Sequence, residues 1–294
     1  MLIPKVLHQT WKTKDLPAPF AAYRRTWQRL HPDWEFPLYD DDDCRSFVAS
    51  HFPQMLALYD GLPTNIQRAD VFRYLVVYKL GGVYADVDME CWKCIEPLLE
   101  GRRCVFGTEA TFGRRLQRKL GYRHPYQVAN CIFATAPHDP FLKFAIDHLR
   151  AANPANFVPG RRAVEETTGP RFLTRLLQEH RELFPDLMLL PQIHWMPPTR
   201  PTYPNLFPFN VHIYCKHHFA GTWTGLHSGA DEPQTLKERY AQRWHHPAPW
   251  FRHDFQPTRL AAHFVRRLRA AFSARVLPAT MPNARDAPDA RTAH

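Results

Sequence analysis

Glycine is scarce in this chain, 12 of 294 residues. No apolar run approaches the roughly 18 residues that a membrane-crossing helix needs. The opening residues, MLIPKVLHQTWK, lack the charged, apolar and small-residue segments of a secretory leader. These absences predict neither an integral membrane protein nor a conventionally secreted one, and a cytoplasmic location is expected. Six cysteines are too few for a disulfide scaffold. Cys91 and Cys94 form a C-x-x-C with no second copy, so reduced thiols are expected rather than zinc or redox chemistry.

What is present is a globular composition, 45% apolar and 22% charged, with enough chain for a substantial core. Proline is abundant, 28 residues. It clusters at Pro191, Pro197, Pro198, Pro201, Pro204 and Pro208, which predicts irregular loop there. The net charge is +10, and residues 251–294 supply half of it through eight Arg against three Asp. Such a balance admits nucleic acid, anionic lipid or phosphorylated substrates as partners. No helix-turn-helix, zinc-finger or RNA-binding aromatic motif supports nucleic acid, which is not expected as a partner.

Alternating strand and helix signals along the first part of the chain predict an α/β architecture. Residues 2–10 read as a buried strand, 19–30 as a helix, and Phe36–Tyr39 as a strand ended by the run Asp40–Asp43. Thr64 with Gln67 three residues on is a capping-box signature. Helical spacing then runs through Ile66, Ala69, Phe72, Val76 and Leu80, and Gly81–Gly82 reads as a left-handed cap. Val83 to Asp88 reads as a strand, which puts Tyr84, Asp86 and Asp88 on one side. Two adjacent carboxylates repel unless one takes a proton or a divalent cation uses both. A solvated strand end is the plainer alternative. Asp70 and Arg73, at i and i+3, share a helix face that the glycine turn folds back beside the acid pair. An ordinary helical ion pair is the plainer reading of those two.

The string R-A-D-V-F-R-Y-L-V-V-Y-K-L-G-G-V-Y-A-D-V-D at residues 68–88 resembles the signature of D-x-D sugar-nucleotide glycosyltransferases. It is most similar to the family-32 type, which includes initiating α-1,6-mannosyltransferases, inositol-phosphoceramide mannosyltransferases and bacterial capsule and lipopolysaccharide enzymes. I-P-K-V-L-H-Q-T-W-K (3–12), Trp27, Pro32, Trp34, Tyr39–Asp40, the Asn130 segment, Thr168–Gly169–Pro170 and H-H-F-A-G-T-W (217–223) match further family blocks in order.

The resemblance implies a glycosyltransferase A-type fold, a Rossmann-like sandwich with a mixed central sheet. It implies a nucleotide-diphosphate sugar as donor and Mn²⁺ or Mg²⁺ held by Asp86, Asp88 and a late histidine. His218 is the expected ligand and His217 the alternative. Trp11 would stack on the donor base, Asp70 and Arg73 would hold sugar hydroxyls and diphosphate, and Tyr84 would support them. Asn130 would lie near the anomeric centre and Trp223 would close over the site. Hexose transfer with retention to a glycan or glycolipid acceptor follows, in surface polysaccharide or lipopolysaccharide synthesis.

Residues 1–230 are expected to form the catalytic domain, 231–277 a C-terminal helical extension and 278–294 a disordered tail. Between Arg259 and Val276 an apolar face opposes Arg266, Arg267 and Arg269. This basic amphipathic pattern suits either an anionic membrane surface, at the inner face of the cytoplasmic membrane, or packing on the domain. Residues 110–127 and 191–212 are candidate acceptor loops. Two other functions remain open: a catalytically inactive membrane- or polyanion-binding module of the same fold, and a metal-dependent phosphoesterase. The latter wants more His and Asp clusters than the chain offers.

Overall fold

The computed structural model describes residues 2–197 and 212–221. The chain runs β1 (Leu7–Thr10), α1 (Ala18–Leu30), β2 (Leu38–Tyr39), α2 (Asp41–His51), α3 (Pro53–Gly61), α4 (Asn65–Leu80), β3 (Gly82–Ala85) and β4 (Met89–Cys91). It continues through α5 (Glu96–Leu99), β5 (Cys104–Thr111), α6 (Arg114–Leu120), β6 (Tyr126–Thr135) and α7 (Pro140–Ala151). Last come α8 (Arg161–Thr167), α9 (Pro170–Glu179), β7 (Leu187–Leu190), α10 (Gln192–Trp195) and β8 (Cys215–His217). The expected tail, the basic C-terminal helix, Trp223 and most of the proline-rich loop lie outside the described residues.

The strands form a six-stranded sheet in the order β2-β1-β3-β6-β5-β7 and a separate β4-β8 pair. β6 is antiparallel to both neighbours, and the other pairings in the large sheet are parallel. This is the mixed α/β sandwich that the resemblance implies. Side chains alternate across the sheet as a two-residue period demands. Tyr84, Phe106 and Phe133 enter one core with α2, α3, α4, α7 and α9. Val83, Ala85, Val105, Ile132 and Ala134 enter the other with Trp27 and Trp195.

α4 is the central helix. Residues 70–77 are all buried, along with Gln67, so this helix is buried nearly all round rather than on one stripe, with Gln67, Asp70 and Arg73 as its buried polar groups. Thr64 caps it by accepting from the Gln67 N–H at 3.3 Å. The reciprocal half of the capping box does not form. Gln67 Oε1 instead accepts from the Thr64 hydroxyl, and its amide group turns to Val158 O and Thr167.

Three expectations change. The run Asp40–Asp43 does not merely end a strand. Asp40 caps α2, with Asp43 N–H donating to it and Asp43 Oδ2 accepting from the Asp40 N–H, and the negative charges sit where the helix dipole favours them. The first strand is shorter than 2–10: Val6 N–H turns back to Pro4 O, Val6 makes a single parallel bridge to Glu35, and the strand itself begins at Leu7. Gly81 has φ 69° but ψ −170°, outside the left-handed helical region, and Gly82 follows at φ 98°. The glycines are needed for closeness as well as for φ. A Cβ on Gly82 would meet Val6 Cγ1 at 2.4 Å and Val6 O at 2.6 Å. Gly82→Ala is therefore expected to cost at least about 2 kcal/mol, measured as a lowered urea midpoint with unchanged m-value.

Candidate active site

β3 ends at Ala85, earlier than the sequence predicts. Asp86 and Asp88 are not alternating strand residues. They lie in a turn closed by Met89 N–H donating to Asp86 O at 3.0 Å. The turn stands at the carboxyl end of a parallel strand, where open α/β sheets bind ligands. It is pinned on one side by Asp86 N–H to Cys131 O of β6, 2.8 Å, and approached on the other by the buried Gln9, whose amide reaches Asp86 O at 3.5 Å. Gln9 is itself held by Arg24 at 2.7 Å.

Arg73 sits behind the turn, 3% exposed. Its guanidinium lies 3.3 Å from Asp70 and 3.3 Å from Asp86, donates to Asn130 O at 2.9 Å, and stacks 4.7 Å from the Tyr84 ring centre. Burial acts to lower the Arg73 pKa, but Asp86, Tyr84 and Asp70 more than reverse it, so the side chain stays charged. Asp70 is buried by α4 and accepts from Asn130 Nδ2 at 2.9 Å and Thr168 Oγ1 at 2.8 Å. Burial lifts its pKa to about 6, against the pull of Arg73 and the two donors. Tyr84 donates to Asp86 Oδ1 at 3.1 Å, and Thr10 shares its hydroxyl at 3.0 Å. Asp70, Arg73, Tyr84 and Asn130 thus come together as expected. In this arrangement Asp70 and Asn130 contact Arg73 and each other, behind the acid turn.

The late histidines exchange roles relative to expectation. His217 Nε2 lies 3.0 Å from Asp88 Oδ1, and Asp86, Asp88 and His217 can each bring one ligand atom within 4.8 Å of the others. His218 points the other way, to Glu90 Oε2 at 2.9 Å, with its ring stacked 4.1 Å from that of Tyr23. Neighbouring residues of a strand face opposite sides. The pairing of Met89 with His217 decides which histidine meets the acids. Of the two candidates, His217, the expected alternative, faces the acid pair, and His218 does not. Asp88 also accepts from the Ala220 N–H at 2.9 Å. Burial works to raise the Asp88 pKa, yet His217 and the Ala220 amide hold it below its usual value. Burial would lower His217, and Asp88 raises it instead.

Two carboxylates and one imidazole form an oxygen-rich set suited to Mn²⁺ or Mg²⁺. His217 Nδ1 is buried without a hydrogen-bond partner among the described residues, and the set fits a divalent ion. Cys91 and Cys94 join no such group among the described residues. Cys91 pairs across β4 and β8 with Cys215, and all three are free thiols.

Trp11 lies at the end of β1, half-buried, with its ring edge-on to Phe20 at 5.1 Å and in the cluster with Val87 and Ala220. It is near the acid turn, as a base-stacking role requires. One half-buried carboxylate escaped the sequence reading. Glu109 on β5 accepts from Gln127 Nε2 at 2.8 Å. Its pKa is raised by burial, opposed by Gln127, and it feels the charges of His217 and Asp86. A lone acid in the otherwise apolar or neutral strand CVFGTEAT was the available signal.

Residues 17–105 match the family described as "Glycosyltransferase sugar-binding region containing DXD motif". The D-x-D at Asp86 and Asp88 lies within the matched residues. The recognition made on residues 68–88 is thereby borne out. Inositol phosphoceramide mannosyltransferase 3 of Schizosaccharomyces pombe is 35% identical over 182 residues, covering 62% of this chain and 46% of that protein. Initiation-specific alpha-1,6-mannosyltransferase of Candida albicans is 35% identical over 92 residues, covering 29% of this chain and 24% of that protein. The chain thus spans about half the length of the inositol phosphoceramide mannosyltransferases it matches. Among solved structures, PaToxG Glycosyltransferase aligns over 62% of this chain and 71% of that one, at 20% identity and a TM-score of 0.44.

Two outcomes follow from this DXD region. His217→Ala is expected to abolish Mn²⁺ binding followed by electron paramagnetic resonance, and His218→Ala to preserve it. Asp70 supplies a pH dependence. Its native pKa, about 6, lies above the unfolded value, so the native state binds the extra proton between about pH 4 and 6. Stability falls as pH rises through that window, by about 3 kcal/mol in all. Asp70→Asn should flatten that slope in urea titrations across the window.

Proposed function

We propose that the protein is a metal-dependent hexosyltransferase. It takes a nucleotide-diphosphate sugar as donor and a glycan or glycolipid hydroxyl as acceptor. The observation that carries this reading is the convergence of Asp86, Asp88 and His217 at the carboxyl end of β3, backed by a buried, charged Arg73. Asp86, Asp88 and His217 hold Mn²⁺ or Mg²⁺, which when bound supplies positive charge to the diphosphate leaving group. Arg73 fixes the Asp86 carboxylate by placing a buried guanidinium directly behind it. Asp70, Asn130 and Thr168 fix Arg73. Tyr84 orients Asp86 through its hydroxyl. Trp11 offers an aromatic face to the base.

The inositol phosphoceramide and alpha-1,6-mannosyltransferases that the chain resembles favour mannose as the hexose and a phosphorylated lipid or a glycan as acceptor. They favour that class over the bacterial capsule and lipopolysaccharide setting first expected. The transfer retains configuration. The acceptor oxygen bonds to the anomeric carbon on the face from which the phosphate leaves, and the departing phosphate takes the hydroxyl proton. Among the described residues no helix is long and apolar enough to cross a membrane, and the proposed location remains the cytoplasm and the inner face of the cytoplasmic membrane.

Nucleotide release from a panel of GDP, UDP and CMP sugars tests the reading. Turnover of one donor, dependent on Mn²⁺ or Mg²⁺, is expected, with Asp88→Asn lowering it by at least about 100-fold. Full turnover in that variant or in chelator would refute the reading. The anomeric proton coupling of the product separately tests retention.

A further inference from the structure

β6 crosses the active site and continues beyond it. Ala85 pairs with Ile132, and Asp86 N–H reaches Cys131 O. Residues of β6 before Ile132 therefore run past the carboxyl end of β3. From Asn130 to Tyr126 the strand extends about 13 Å further, still paired with β5 as far as Thr111. Residues 112–125 close this hairpin, so its tip stands off the same edge of the sheet as the acid turn.

The tip is built, not slack. Phe112 N–H donates to Pro125 O at 2.8 Å, Gln117 donates to Tyr122 O at 3.2 Å and Arg123 O at 2.9 Å, and Gly121 ends α6 at φ 70°. Yet α6 buries no residue. Its exposed residues are Arg114, Arg115, Arg118 and Lys119, which share one arc of the helix, and the 44% exposed Leu116 at the edge of that arc. Arg123 follows, and residues 112–125 contain no acid. None of these five cations has a salt-bridge partner among the described residues. By contrast Arg161, Arg162 and Arg171 on α8 and α9 are matched by Glu165 and Glu166.

We propose that the α6 hairpin tip docks on an anionic phospholipid bilayer, which turns the active-site mouth toward an acceptor borne at the headgroup level. The inference rests on the glycosyltransferase reading for the acceptor, and on the hairpin alone for the surface. Unpaired cations answer the surface potential of acidic lipid, and Leu116 beside them has an apolar place to go at the headgroup boundary. A soluble polyanion would use the cations and leave Leu116 in water.

Flotation of the full chain with vesicles tests this, using phosphatidylcholine alone or with added phosphatidylserine, at low and high salt. Binding only to the phosphatidylserine vesicles, weakened by salt, is expected. Changing Arg114, Arg115, Arg118 and Lys119 together to Gln should lower partitioning at least about 100-fold. Changing the three arginines to Lys should preserve it, and an unchanged Tm shows that the fold survives. Wild-type partitioning in the glutamine variant would overturn the proposal. So would equal binding to both vesicle types, or binding lost only when Arg266, Arg267 and Arg269 are changed to Gln. Retention by soluble heparin with no vesicle binding would overturn it too. Nucleotide release is assayed on the wild-type preparation alongside, and its absence there would count against the glycosyltransferase reading alone.

Discussion

A single guanidinium, buried with carboxylates on two sides, is the constraint around which this site is organised. Arg73 ties the central helix to the acid turn through Asp70 and Asp86 and holds β6 through the Asn130 carbonyl. Removing one partner from such a buried group leaves an uncompensated charge, at a cost of about 3–5 kcal/mol. The surrounding polar groups are correspondingly satisfied. Thr168 and Asn130 donate to Asp70, while Tyr74 donates to the Thr168 carbonyl at 2.6 Å. The α8–α9 junction, far away in sequence, is thereby bound to the same charge chain.

The reversed strand gives the sheet its second function. Because β6 runs against its neighbours, it passes the carboxyl end of β3 rather than ending there. The same strand supplies the carbonyls that fix Arg73 and Asp86 and the stem of the basic hairpin. Placement of the reacting groups and presentation of a charged rim are consequences of one change in strand direction. The β4–β8 pair works in the same economical way. Its register brings His217 to Asp88, while the Ala220 amide just beyond it occupies the other carboxylate oxygen.

Much of this was legible because the deciding signals are local. The cap at Thr64, the helical run to Leu80, the double glycine and the D-x-D follow one another within about two dozen residues, so chain geometry alone brings Asp70, Arg73, Tyr84 and Asp86 together. Thr168 and Asn130 carried no local signal of their own and were visible only through family resemblance. The choice between His217 and His218 was not legible, because adjacent residues face opposite ways and only the partner strand says which way is inward. Asp40–Asp43 were misread for a related reason. Acids end a strand and begin a helix with the same letters, and the Asp40–Asp43 reciprocal cap belongs to the second case.

The proposed site holds a divalent ion through Asp86, Asp88 and His217, with Arg73 fixing the Asp86 carboxylate, in place for a nucleoside diphosphate. Calorimetric titration of GDP and of UDP into the protein, with Mn²⁺ and then with chelator, tests this most directly. Tight binding of one nucleotide that disappears when the metal is removed is the predicted result. Equal affinity in the presence and absence of metal would contradict it.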